Sequence, residues 1–304
     1  MITFLFFLTF LLFPIHCQEL FLSEQNLELS GAAFYQDKII VITDELSEST
    51  IYSVELNREK QEFTLESKFS FWQMPDFYLY SIDSFFSHLP LFFKKYMPFD
   101  WEGLAVCGEE IYLVNEQVRE VILFKNNSFT KLDLKLNSLH DFLFSGVPNA
   151  GLEGIALDCD SQVLYLGKER EQAGIISYDL KSAKIMNFKK GDELNLHSIA
   201  DLFFFNNSLY VLDRFAGEII KLNKDSLQEL NRISFKNIEV NGVNIWNIFE
   251  GDNKYGLAEG LLINEKEIFL FFDNNQTLLS GPIQKAYAKK SASALLIIPK
   301  PLDF

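Results

Sequence analysis

The sequence predicts an all-β protein, a β-propeller of five or six four-stranded blades with an aromatic-rich insertion after the first blade. Three observations predict it. An acidic residue and a glycine open a short apolar run three times, as Glu102-Gly103, Glu153-Gly154 and Glu259-Gly260. Each copy is followed about ten residues later by a second apolar run, at 111–114, 164–167 and 268–271, and repetition of this kind marks propellers and other repeat architectures. No amphipathic stretch long enough for a crossover helix separates these runs, which disfavours a doubly wound α/β fold. A β-sandwich is the structural alternative, but it does not call for a recurring unit.

Residues 1–17 come first. Residues 2–15 are almost wholly apolar, shorter than the roughly 20 residues that span a bilayer. They read as the apolar region of a secretory signal peptide, with cleavage after Cys17. Lipidation of Cys17 is the alternative, which would make the protein an outer-membrane lipoprotein. Residues 18–304 then form one propeller domain, exported and either periplasmic or secreted. The first blade takes hairpin strands at 30–34 and 39–44 about the polar turn Gln36-Asp37-Lys38, a third strand at 50–56 and a fourth at 63–71. Residues 72–100 break the pattern with an aromatic-rich insertion that lacks the composition of a flexible linker. The second unit runs from Glu102 to about Leu134 and the third from Glu153 to about Phe188. The fourth begins near His197, with strands at 199–205, 209–213 and 218–222. Residues 229–250 supply an outer strand and a weaker, degenerate unit. The last unit begins at Glu259, and its outer strand is expected at 294–298. A sixth blade is left open at 63–100 or 229–250.

Composition narrows the function classes. The chain carries a net charge of −15, which argues against a nucleic-acid partner, because phosphates demand clustered Lys and Arg. It is 15% aromatic with 31 Phe residues, a strand-favouring bias. Cys107 and Cys159 occupy corresponding places in neighbouring repeats, and we read them as two free, half-buried thiols. Two cysteines without a nearby His pair do not make a zinc site.

The register brings polar residues together. Ser30, Glu102, Glu153, Ala200 and Glu259 open the first strands, and Asp44, Glu116, Glu169, Arg214 and Asp273 follow the second. In an antiparallel hairpin the start of one strand lies beside the end of the next. Both sets should therefore emerge at one mouth of the central channel as two mostly acidic rings. Gly31, Gly103, Gly154 and Gly260 would let the inner backbones approach closely. Converging carboxylates need a counter-charge or water once desolvated. A hard cation such as Ca2+ on Glu102, Glu153 and Glu259 is one solution. Pairing with Arg119, Lys168, Arg170 or Arg214 is another, and water in the channel is a third. Each Glu acting only as glue between blades is the plain structural alternative.

At these residues the chain resembles a known family. Asp100-Trp101-Glu102-Gly103-Leu104-Ala105, the stretch from Asn149 to Asp158 with Leu164 to Arg170, Leu29-Ser30-Gly31, and Glu259-Gly260 with Asp273-Asn274-Asn275 are similar to the motifs of the SdiA-regulated family. That family is similar in turn to the phytase-like, esterase-like propellers. The resemblance spans roughly residues 28–280. It implies an exported propeller of five or six blades, with Ca2+ in the channel of some members. Ala200-Asp201 departs from the polar-Gly pair of the other units.

Catalytic motifs are sparse. No Gly-x-Ser-x-Gly elbow accompanies His88, His140 or His197, and no Gly-rich phosphate loop is present. His197 alone is placed near the channel mouth. Three Asn-x-Ser/Thr triplets, at 126–128, 206–208 and 275–277, read as turn chemistry rather than glycosylation sites. The leading expectation is an exported monomer, non-enzymatic or weakly so. It would bind Ca2+ or another cation, a small polar ligand or a protein partner at the acidic mouth, and touch a membrane only through a lipid anchor. The rivals are a metal-dependent phytase-like phosphoesterase, with Lys168, Arg170 and Arg214 as part of its phosphate cradle, and a surface interaction protein acting through residues 72–100.

Overall fold

A computed structural model of the chain describes residues 18–43, 49–71, 101–116, 119–146, 150–251, 256–302 and 304. Residues 1–17 (expected as a signal peptide and including Cys17), Asp44 and the 72–100 insertion lie outside the described residues.

Four blades follow the chain in order, each an antiparallel meander. Blade one holds β2 (Leu29–Tyr35), β3 (Lys38–Thr43), β4 (Ser49–Asn57) and β5 (Glu62–Phe71), after a first strand β1 (Glu19–Ser23) that belongs elsewhere. Blade two holds β6 (Trp101–Cys107), β7 (Glu110–Asn115), β8 (Glu120–Lys125) and β9 (Ser128–Lys131). Blade three holds β10 (Leu152–Asp158), β11 (Val163–Lys168), β12 (Gly174–Asp179) and β13 (Lys184–Lys190). Blade four holds β14 (Ile199–Phe205), β15 (Ser208–Asp213), β16 (Glu218–Asn223) and β17 (Glu229–Ser234). A small hairpin, β18 (Glu239–Val240) and β19 (Val243–Asn244), follows.

Blade five closes the ring with both ends of the chain. It takes β20 (Ala258–Ile263), β21 (Glu267–Phe272) and β22 (Ala294–Pro299), and its outermost strand is β1, paired antiparallel to β22 from Glu19↔Ile297 to Leu22↔Ala294. The strand expected as outermost, at 294–298, is thus the third of its blade. β1 is not set apart in the sequence, because the apolar run of residues 2–15 is followed so closely by the apolar Leu20-Phe21-Leu22. The inner strands β2, β6, β10, β14 and β20 pack each against the next, and β20 packs back on β2. Among the described residues the ring has five blades, with β2 lying directly on β6 and β14 directly on β20.

Local chemistry sets the turns. Gln36-Asp37, Asn126-Asn127 and Asn206-Asn207 all have positive φ at both positions, the backbone that type I′ hairpins require and Asn tolerates. The third Asn-x-Ser/Thr triplet differs. Asn275 and Gln276 also have positive φ, but they follow β21 in a long loop, where Asp273 and Asn274 side chains accept their N–H groups at 2.7 Å each. Between blades, apolar faces interdigitate: Trp101, Leu104 and Leu113 of blade two meet Ile40, Ile42 and Ile51 of blade one. At Gly103 an added Cβ would stand 2.2 Å from the Glu153 carbonyl oxygen, so only glycine lets these inner strands touch.

One feature corrects an expectation, and a second accounts for the departure at Ala200-Asp201. Cys107 and Cys159 form a disulfide, with Cα atoms 5.7 Å apart. Corresponding positions of neighbouring inner strands face each other across the narrow ring, which the reading of two separate thiols missed. Asp201, which stands where other blades have glycine, is fully buried. Its carboxylate accepts from the Leu261 N–H of blade five at 2.8 Å and from its neighbour Leu202 at 2.8 Å. Burial raises its pKa against the pull of these N–H groups and that of Ala32. No helix among the described residues is long and apolar enough to cross a membrane.

Candidate functional site at the channel mouth

A β-bulge opens every inner strand, and it explains the recurring Glu-Gly pair. The ladder passes from Trp101↔Asn115 to Gly103↔Val114, from Leu152↔Lys168 to Gly154↔Gly167, and from Ala258↔Phe272 to Gly260↔Phe271. The unpaired extra residue is Glu102, Glu153 or Glu259. Blade four skips Ala200 between Ile199↔Asp213 and Asp201↔Leu212, and blade one skips Ser30 and Gly31 against Ile42. A bulge frees a side chain from the alternation of the strand and re-aims it. The second set stands one residue past the second strand, at Glu116, Glu169, Arg214 and Asp273. Asp44, its counterpart in blade one, lies outside the described residues.

Arg214 sits in the middle of the acidic groups. Its guanidinium contacts Glu169 of blade three and Glu259 of blade five directly, and lies 3.6 Å from Glu153 Oε1. Its Nε donates to Ser198 Oγ at 3.3 Å, and that hydroxyl reaches Glu169 Oε1 at 3.4 Å. Arg170 also pairs with Glu169. Glu116 Oε1 accepts the Gly151 N–H at 3.0 Å, tying blade two to the entry of blade three. Of the expected counter-charges, Arg214 and Arg170 therefore take up the carboxylates. Lys168 instead donates to the Arg170 and Glu171 carbonyls at 2.7 and 2.9 Å, and burial lowers its pKa to about 8. Arg119 lies over the Phe144 ring at 4.7 Å, and burial lowers its pKa against the opposing field of Glu116.

Glu116, Glu153 and Glu169 are all buried and offer ligand atoms within 4.8 Å of one another. This grouping differs from the Glu102, Glu153 and Glu259 set considered for a metal. Glu259 turns to Arg214, and Glu102 is half-buried within electrostatic reach of Glu153 and Arg214. Arg214, Arg170 and Ser198 all approach Oε1 of Glu169, and Arg214 approaches Oε1 of Glu153. Glu153 Oε2 and Glu169 Oε2 are buried without a hydrogen-bond partner. Burial pushes the Glu153 carboxyl well above the ordinary range; Arg214 opposes the shift, and Glu169, Glu102 and Glu116 add to it. Burial also lowers Arg214's proton affinity, but Glu153, Glu169 and Glu102 more than reverse this. Asp273 stands apart from the group, raised to about 6 by burial, with the field of Glu28 adding to it and Asn275 and Arg214 opposing it.

Two participants were not singled out from the sequence. Ser198 bridges Arg214 and Glu169. Asp213, fully buried at the end of β15, accepts the N–H groups of His197 at 2.7 Å, Ser198 at 3.3 Å and Ala216 at 3.1 Å. Their signal was positional: Asp213 immediately precedes Arg214, and Ser198 immediately precedes the fourth inner strand.

Comparisons with known proteins agree with this architecture. The crystal structure of Myxococcus xanthus glutaminyl cyclase aligns with a TM-score of 0.50 at 10% identity, covering 93% of this chain and 94% of that one. The nidogen/laminin complex aligns at 0.46 and 16% identity, covering 87% and 79%. The RRP9 WD40 repeats align at 0.43 and 11%, covering 90% and 65%. At 10% identity the likeness to the glutaminyl cyclase is one of fold alone. No curated protein sequence matches. The model of the SdiA-regulated family matches residues 96–271, more than half of the chain and including the Glu-Gly pairs of blades two, three and five. The chain belongs to the SdiA-regulated family.

Proposed function

We propose that this propeller is an exported binding protein that holds a divalent cation at its channel mouth, on Glu116, Glu153 and Glu169. The observation that carries the reading is the pair of buried oxygens, Glu153 Oε2 and Glu169 Oε2, left without hydrogen-bond partners inside that group. A buried carboxylate without a partner is costly, and either a proton or a hard cation removes the cost. The donor set is oxygen only, which suits Ca2+. A Ca2+–O distance of about 2.4 Å also lets one ion bridge oxygens at the observed spread. Arg214 serves as the internal counter-charge, at Oε1 of Glu153 and Glu169. Export is supported by the apolar run at 2–15 and by the Cys107–Cys159 disulfide, which suits an oxidising compartment.

Thermal melting under Ca2+ titration tests the site. Binding to the folded state raises the stability by about 2.7 kcal/mol at a hundredfold excess over Kd. The raised proton affinity of Glu153 makes protons compete with the ion, so the stabilisation should be larger at pH 8 than at pH 5. Glu153→Gln should remove it. A melting temperature indifferent to Ca2+ and to chelator would sink the cation reading.

A further inference from the structure

We propose that a second site, a pocket of about 850 Å³ between blades three and four on the same face, binds a small neutral ring with an apolar face and a hydrogen-bonding edge. The pocket borders the mouth cluster at Arg170 and Ser198, but none of the three proposed cation ligands lines it, and its own ligand groups are His197 and Phe215.

Three features build the site. The first is a fixed acceptor. His197 lines the pocket, and its Nδ1 lies 3.3 Å from Oδ2 of the fully buried Asp213. That carboxylate is itself held by the backbone N–H groups of His197, Ser198 and Ala216. With Asp213 accepting at Nδ1, the neutral ring carries its proton there and leaves the Nε2 lone pair for a ligand donor. The second is an apolar wall. Phe215 is 37% exposed, and its ring lies 5.7 Å from the His197 ring. The third is charge balance. Arg170, already paired with Glu169, and Lys190 share the lining with Glu171 and Asp192, so both signs of charge are present and no run of one sign forms. Asn195 adds an amide that both donates and accepts. A volume of this size is ordinary for small-molecule pockets, where a few fixed polar groups orient a ligand against an aromatic surface.

Neutral pyranosides and nucleosides share this chemistry, a flat apolar face with hydroxyl or N–H donors at the edge. Saturation-transfer NMR of the full-length protein against methyl pyranosides and uncharged nucleosides at millimolar concentration tests the site and separates the two sources. One class should show transfer strongest at its ring-face protons, and Phe215→Ala and His197→Ala should each weaken binding at least tenfold. Both side chains are exposed, so the variants should melt with the wild type. Glu116→Gln, which alters the mouth cluster alone, should leave ring binding unchanged. No transfer from either class, or transfer undiminished in Phe215→Ala, overturns the proposal whatever the Ca2+ titration shows.

Discussion

Arg214 shows how a single side chain settles a crowd of like charges. It is largely buried between Glu153, Glu169 and Glu259, which belong to two other blades. Taking one partner from a buried ion network leaves uncompensated charge and typically costs about 3–5 kcal/mol. Arg214→Met should therefore lower the stability by about that amount, measured by urea unfolding at pH 7. The pH dependence has a definite sign. Without the guanidinium, the pKa of Glu153, already raised in the fold, rises further. The protonated form is then favoured by folding, so the stability is kept at low pH and lost as pH rises through the folded-state value. The deficit against the wild type should be larger at pH 8 than at pH 5. An Arg214→Met protein as stable as the wild type at both pH values would mean that the carboxylates find their counter-charge elsewhere. The position of Arg214 in the acidic ring was legible from the alignment of second strands. Its role as the hub was not, because spacing along a chain cannot say which of Arg119, Lys168, Arg170 and Arg214 turns inward.

At the scale of the element, the repeated phrase was read correctly as the start of an inner strand, and the bulge supplies the reason. Glu102, Glu153 and Glu259 are the residues that the ladder skips, and in these three blades the glycine that follows rejoins the partner strand where a neighbouring blade leaves no room for a Cβ. Ala200 is skipped in the same way, which makes blade four a regular blade whose ring position lacks a carboxylate. What spacing could not supply was the distance between equivalent positions of adjacent strands. Cys107 and Cys159 are 52 residues apart in sequence yet bonded, because the inner strands pack side by side. Closing a loop of that length removes chain entropy from the unfolded state worth about 4 kcal/mol at most in the loop-entropy model. The Cys107→Ala/Cys159→Ala double variant should lose up to that amount and become indifferent to reductant, whereas the wild type should lose a similar amount when dithiothreitol is added. A wild-type melting temperature unmoved by reductant would show that the bond contributes nothing to stability in solution.

The whole molecule depends on a closure that the repeat pattern could not reveal. The units announce themselves by similarity, but β1 resembles no other element: it is five residues, ELFLS, shortly after the apolar run at 2–15. It completes blade five from the other end of the chain and also touches the outer edge of blade one through the parallel pairs Leu22↔Glu62 and Ser23↔Phe63. Leu20, Phe21 and Leu22 are fully buried there. Burying each such side chain is worth about 1.5–3 kcal/mol, so the strand contributes an amount comparable to the stability of an ordinary domain, about 5–15 kcal/mol. A variant lacking residues 18–23 should lose its cooperative melt or associate through the exposed edge of β22, since an unpaired apolar edge strand recruits other chains. A synthetic peptide covering residues 18–28, added in excess, should restore the sharp transition by pairing with β22 in place of the missing strand. Size-exclusion chromatography and melting with and without the peptide read both effects. A truncated monomer that melts like the parent would mean that the three-stranded fifth blade suffices to hold the ring shut, and that β1 covers the propeller rather than closing it.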